Sequence, residues 1–149
     1  MIIDLQGQFD AKLALGPGIA TTASTNSIDL GPQATNFGVG EDMSAVIEVY
    51  VAPVATAGTE TYVVTLNGSA TKDGSMTAIG TVTIPRTATA GGQNYVIPIP
   101  NMLGSNLRWL SLSYALAGNA DAAITLTAQL LPNKMIEAYT TYQSGYSIL

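Results

Sequence analysis

The sequence contains no cysteine and no histidine. It therefore has no disulfides, no thiol nucleophile, none of the commonest zinc ligands and no imidazole for acid–base chemistry near neutral pH. Charge is also scarce. Asp, Glu, Lys and Arg make up 10% of the 149 residues, against about 25% in an average soluble domain. The five basic residues, Lys12, Lys72, Arg86, Arg108 and Lys134, are scattered along the chain, and the net charge is −5. A surface that tracks phosphates is not expected, and nucleic acid is set aside as a partner. No apolar run approaches the roughly 18 residues of a membrane span, so no membrane partner is expected either. The opening Met1-Ile2-Ile3-Asp4-Leu5 carries an early acid and no basic segment ahead of a long apolar one. That predicts a soluble chain without a cleavable signal.

What the sequence has instead is neutral polarity. Ser, Thr, Asn and Gln fill 42 positions against 15 charged ones, and 47% of residues are hydrophobic. This composition predicts one domain with a sizeable core under a surface of hydroxyls and amides. The hydrophobic period is two. In 43–52, Ala45, Ile47, Val49 and Val51 share one parity, and Ser44, Val46, Glu48 and Tyr50 take the other. In 61–67, Tyr62, Val64 and Leu66 fall on one side; in 76–84, Ala78, Val82 and Ile84 oppose Thr77, Ile79, Thr81 and Thr83. Further strands are expected at 94–100, 107–117 and 122–131, with Leu110, Leu112, Tyr114 and Leu116 facing away from Trp109, Ser111, Ser113 and Ala115. Pro98 and Pro100 cannot donate ladder hydrogen bonds, which predicts that the strand carrying them is an edge or ends early. A short strand at 27–30, with a further one at 2–5, brings the number to about eight.

Turn-forming stretches separate these runs, among them Gly16-Pro17-Gly18, Lys72-Asp73-Gly74-Ser75 and Gly118-Asn119. Strands at this spacing, with no long amphipathic helix, predict an all-β antiparallel sandwich, an eight-stranded jelly roll in its leading version. The domain is expected over 1–131, amino-terminal arm included, with a carboxy-terminal extension over 132–149. Both ends are apolar: Ile2, Ile3, Leu5 and Phe9 at the head, and Ile136, Tyr139, Tyr142, Tyr146, Ile148 and Leu149 in the tail. Tyrosine buries a large ring while keeping a hydroxyl for a partner, so the expectation is that one or both ends are arms that dock on a neighbouring subunit.

The Gly-x-Ser-x-Gly motif is missing, and no enzyme activity is expected. Glu41 and Asp42 in a glycine-rich loop, with Asp121, could hold calcium, but without an Asp-x-Asp-x-Asp-Gly loop they read as a solvated turn. No cofactor or metal is expected. Asn67-Gly68-Ser69 reads as a turn, and Gly38-Val39-Gly40 has no helix after it to make a dinucleotide loop. Trp109 is expected to fill core or pack under a loop, the other reading being an aromatic platform for sugar.

Several strings resemble a family of tailed-bacteriophage capsid cement, or decoration, proteins. In the amino-terminal half these are Met1-Ile2-Ile3-Asp4 with Phe9-Asp10, then Ser24-Thr25-Asn26-Ser27-Ile28-Asp29-Leu30-Gly31, and Gly38-Val39-Gly40-Glu41. Val96-Ile97-Pro98-Ile99-Pro100 and Leu107-Arg108-Trp109-Leu110-Ser111-Leu112-Ser113-Tyr114 resemble the family's final strands. The resemblance implies a jelly roll on the outer surface of the phage head, made in the host cytoplasm and bridging neighbouring major capsid protein subunits. It also implies a small homo-oligomer, a dimer first and a trimer second. The tail from Pro132 onward departs from the family pattern. No catalytic residues carry over; the matched contact residues are Ile2, Ile3, Asp4 and Phe9, with Asp4 and Glu41 expected in paired contacts. The alternatives are a carbohydrate- or receptor-binding β-sandwich and a structural subunit of a tail or fibre.

Overall fold

Alternating apolar residues in six runs each become a strand, and among the described residues three further strands precede them. The computed structural model describes residues 7–18, 21–31, 42–54, 59–91, 94–100, 107–118 and 122–136. Its strands are β1 (Gln8–Leu15), β2 (Thr21–Ala23), β3 (Ile28–Asp29), β4 (Met43–Val51), β5 (Thr61–Ser69), β6 (Thr77–Pro85), β7 (Asn94–Pro98), β8 (Trp109–Ala117) and β9 (Ile124–Pro132). They form two antiparallel sheets, one ordered β1-β9-β4-β7 and the other β2-β8-β5-β6, with β3 also paired to β8. Because β2 and β3 both pair with β8, they act as one interrupted strand. Eight strand positions in two four-stranded layers, linked by crossings between layers, are the jelly-roll arrangement.

The core lies between the layers. Ile47, Val49, Leu126 and Ile124 from one sheet meet Tyr62, Val64, Leu66, Leu110, Leu112 and Tyr114 from the other, all essentially without solvent contact. The alternation predicted for β8 is the observed one, since Leu110, Leu112, Tyr114 and Leu116 are all core residues. β7 is an edge strand that ends at Pro98, which stands opposite Ser44, and Pro100 lies beyond it.

Three departures from simple alternation have local causes. A register shift between Leu66 and Asn67 on the β5–β6 ladder leaves Ile79 as an extra residue, and Ile79 packs against the core instead of facing away with the threonines. A bulge inserts one residue and re-aims the side chains beyond it. The β4–β9 ladder shifts between Val49 and Val51, and Val51 is half-exposed although its parity predicts burial. β1 has two shifts against β9, and within the second, between Asp10 and Leu13, Lys12 adopts φ +57°.

The largest correction concerns the head. Phe9 is expected on a docking arm, yet it sits in β1 at 0% exposure, within the core of its own sandwich. β1 pairs with β9 from Gln8↔Gln129 to Leu15↔Ile124. Its bulges break the period-two pattern that would have revealed it as a strand. At the other end, β9 runs to Pro132 and a helical turn follows at 133–136. The turn is tied back to the sandwich: Asn133 N–H donates to the Asp42 carbonyl at 2.8 Å, and the Ser44 hydroxyl donates to Asn133 Oδ1 at 2.6 Å.

Candidate functional site

The outward face of the five-stranded sheet carries hydroxyls and amides in place of charge. Asn67 Nδ2 donates to Ser113 Oγ at 3.0 Å across β5 and β8, and the Thr65 and Thr81 hydroxyls lie 3.3 Å apart across β5 and β6. Neutral groups of this kind are cheaper to desolvate than ions. The outward face of the other sheet is unusual in another way. Val46 and Leu131 are buried but stand outside the core cluster, and Ser44 and Gln129 are buried beside them through the pairs Ser44↔Leu131 and Val46↔Gln129. β4 is thus buried on both faces over this stretch, where alternation predicts one.

Beyond that stretch β4 becomes exposed. Tyr50 and Val51 are about half-exposed and Val54 is 79% exposed, which gathers three large apolar side chains within five residues. The Lys12 ammonium lies 4.5 Å from the centre of the Tyr50 ring. The positive φ of Lys12 places a cation where aromatic and apolar groups meet solvent, a combination common in protein interfaces.

On the five-stranded side, a cleft opens between the segment 23–27, which joins β2 to β3, and the turn after β5 that carries Lys72 and Asp73. Trp109, Ser111 and Met76 also line it. Trp109 is partly buried on the outward face, so it does not fill the core; it packs beside a loop. The Arg108 guanidinium lies 5.6 Å from its ring centre and is itself gripped by Asp29, with Nε and Nη2 each donating at 2.6 Å. The hydrogen bonds from Arg108, followed by one from the Gly31 amide, lower the Asp29 pKa to about 2.

The 23–27 wall is held in place by β1. The Asp10 carboxylate, inside the protein, accepts from the Thr25 amide at 2.7 Å and from the Tyr114 hydroxyl. Asn26 N–H donates to the Phe9 carbonyl at 3.0 Å. Burial, then the Asp10 carboxylate, raises the Tyr114 pKa far above the ordinary phenol value, so the hydroxyl remains a donor. Elsewhere, Glu60 lies buried with Arg86 Nε at 3.2 Å, and burial raises the neighbouring Tyr62 phenol, whose hydroxyl donates to the Ala122 carbonyl.

Of the residues expected to make contacts, Ile2, Ile3, Asp4 and Glu41 lie outside the described residues, as do Tyr139, Tyr142, Tyr146, Ile148 and Leu149. Ile136 ends the helical turn and is partly buried. Glu41 and Asp121, weighed as calcium ligands with Asp42, are likewise outside the described residues. Among the described residues, no three acidic side chains gather as a metal site would require. The exposed Tyr50-Val51-Val54 group and the 23–27 wall escaped the sequence reading. The first is hidden by the register shift after Val49, and the second depends on β1 being a strand.

A family model, Bbp16, matches residues 17–130. The chain belongs to the Bbp16 family. It is a bacteriophage-related family, which supports a phage structural role for the chain. The Bbp16 match takes in β2 to β8 and nearly all of β9. It includes the strings 24–31, 38–41, 96–100 and 107–114 that resemble cement proteins, whereas Met1-Ile2-Ile3-Asp4 and Phe9-Asp10 precede it. Comparison with curated proteins finds no match.

Proposed function

We propose that this Bbp16 protein is a decoration protein of the phage head, bound to the outer surface of the capsid and bridging neighbouring major capsid protein subunits. The observation that carries the reading is a jelly roll of a phage family whose outward strand face carries neutral hydroxyls and amides in place of charge. Such a face can be buried against protein without stripping water from ions. The exposed Tyr50-Val51-Val54 group with Lys12 adds apolar anchors of the kind that dominate interface energetics. The apolar ends, Ile2 and Ile3 with Asp4 at the head and the tyrosines of the tail, serve as further contacts, to the capsid or within a small homo-oligomer.

Its action is mass action. A protein that binds the assembled shell but not its separated subunits stabilises the shell by its binding free energy. Symmetry-related copies add avidity, since one bound contact raises the local concentration of the next. The role is one of contact, not catalysis, and it needs no cofactor.

The test is the thermal stability of heads made without this protein. Adding the purified chain should raise their disruption temperature in a saturable way, and a variant with Tyr50, Val51 and Val54 all changed to Ser should restore less. No rise at saturation would overturn the reading.

A further inference from the structure

We propose that the cleft between segment 23–27 and the β5–β6 turn is a saccharide-binding site, holding a neutral sugar ring against Trp109. The chemistry of the lining selects the ligand class. A sugar ring presents C–H patches beside hydroxyls, and the cleft offers an indole beside Thr25 and Ser27, while the Ser24 and Ser111 hydroxyls are turned to Asn26 and Met76. At its rim, Lys72 and Asp73 are exposed and join no ion pair among the described residues, leaving one donor and one acceptor for charge-assisted hydrogen bonds to ring hydroxyls. An isolated lysine next to an aspartate gives no net positive field, which disfavours a phosphate. The predominantly polar lining disfavours a greasy ligand. The cavity, about 300 Å³, lies at the small end of ligand pockets and suits one or two rings.

The site is also preformed. Arg108 backs the indole and is held by both Asp29 oxygens. The 23–27 wall is fixed by Ser24, whose amide donates to the Leu112 carbonyl at 2.8 Å and whose hydroxyl accepts from the Leu112 amide at 3.0 Å. Asp10 holds Thr25. A wall already ordered in the free protein loses little entropy when a ligand arrives, so a small ligand can bind measurably.

Trp109 is the only tryptophan, so its emission reports the cleft directly. The experiment titrates the free full-length chain with glucose, galactose, N-acetylglucosamine, lactose, maltose and chitobiose, following fluorescence and saturation-transfer NMR. At least one sugar should give a saturable response with a Kd of about a millimolar or below. In NMR, Trp109→Ala and Asp73→Asn should each weaken binding about tenfold, and Asp73, in an exposed turn, can be changed without threatening the fold. No saturable response from any of these sugars at about 50 mM, far above that Kd, overturns the site. So does binding that both variants leave unchanged. Because the free protein is used, failure here leaves the capsid reading standing.

Discussion

The Tyr114 hydroxyl on β8 donates to the Asp10 carboxylate on β1, a polar tie from one sheet to the other through an otherwise apolar core. Asp10 spends its second oxygen on the Thr25 amide, so the same carboxylate fixes the sandwich and the cleft wall. Removing one partner from a buried hydrogen bond costs about 1–3 kcal/mol, because the group left behind is unsatisfied. Asp10→Asn and Tyr114→Phe should each destabilise by that order in chemical denaturation, and the double variant should lose less than the sum. Hydrogen exchange at the Thr25 amide should quicken in Asp10→Ala and stay near wild type in Tyr114→Phe.

Phe9 separates an arm from a strand. As a core residue it should cost about 3–5 kcal/mol on truncation to alanine, read as a fall in the denaturation midpoint. Changing Ile2 and Ile3 together to serine should leave that midpoint close to wild type and weaken attachment to heads. Equal destabilisation by both sets of changes would contradict this division.

Gly118 turns the chain after β8 at φ +84°, and a Cβ there would stand 2.4 Å from the Thr59 carbonyl oxygen. Backbone cannot yield as a flexible side chain does. Gly118→Ala should lower stability by at least about 2 kcal/mol, from left-handed strain and the clash together.

Asp29 and Arg108 set a pH dependence. The Arg108 hydrogen bonds hold the folded carboxyl at about 2, below the ordinary carboxyl value of 3.8. A group depressed on folding contributes stability above its unfolded pKa and loses that contribution as pH falls through the folded one. The window therefore runs from about 4 down to about 2. The pair is exposed, so its effect on stability is small. The clearer reading is the Asp29 carboxyl carbon in an NMR titration: a midpoint near 2 in the wild type, moving toward 3.8 in Arg108→Gln.

Most of the sandwich was legible in the sequence because period-two alternation survives wherever a strand pairs without a bulge. The Leu110, Leu112, Tyr114 and Leu116 stripe and the edge placement of Pro98 are direct consequences. β1 was not legible, since two register shifts in eight residues scramble its parity. β2, at three residues, is too short to show a period. The cleft was hidden for the same reason. Its indole is visible in sequence, but its wall depends on hydrogen bonds that the Asn26 and Thr25 amides donate to Phe9 and Asp10, residues that read as part of an arm.

Attachment to the phage head is the central claim, and co-sedimentation of the purified chain with mature, expanded heads tests it most directly. The account predicts saturable binding at a fixed ratio to the major capsid protein, with little binding to separated capsid subunits. A chain that stays in the supernatant at saturating concentration would contradict it.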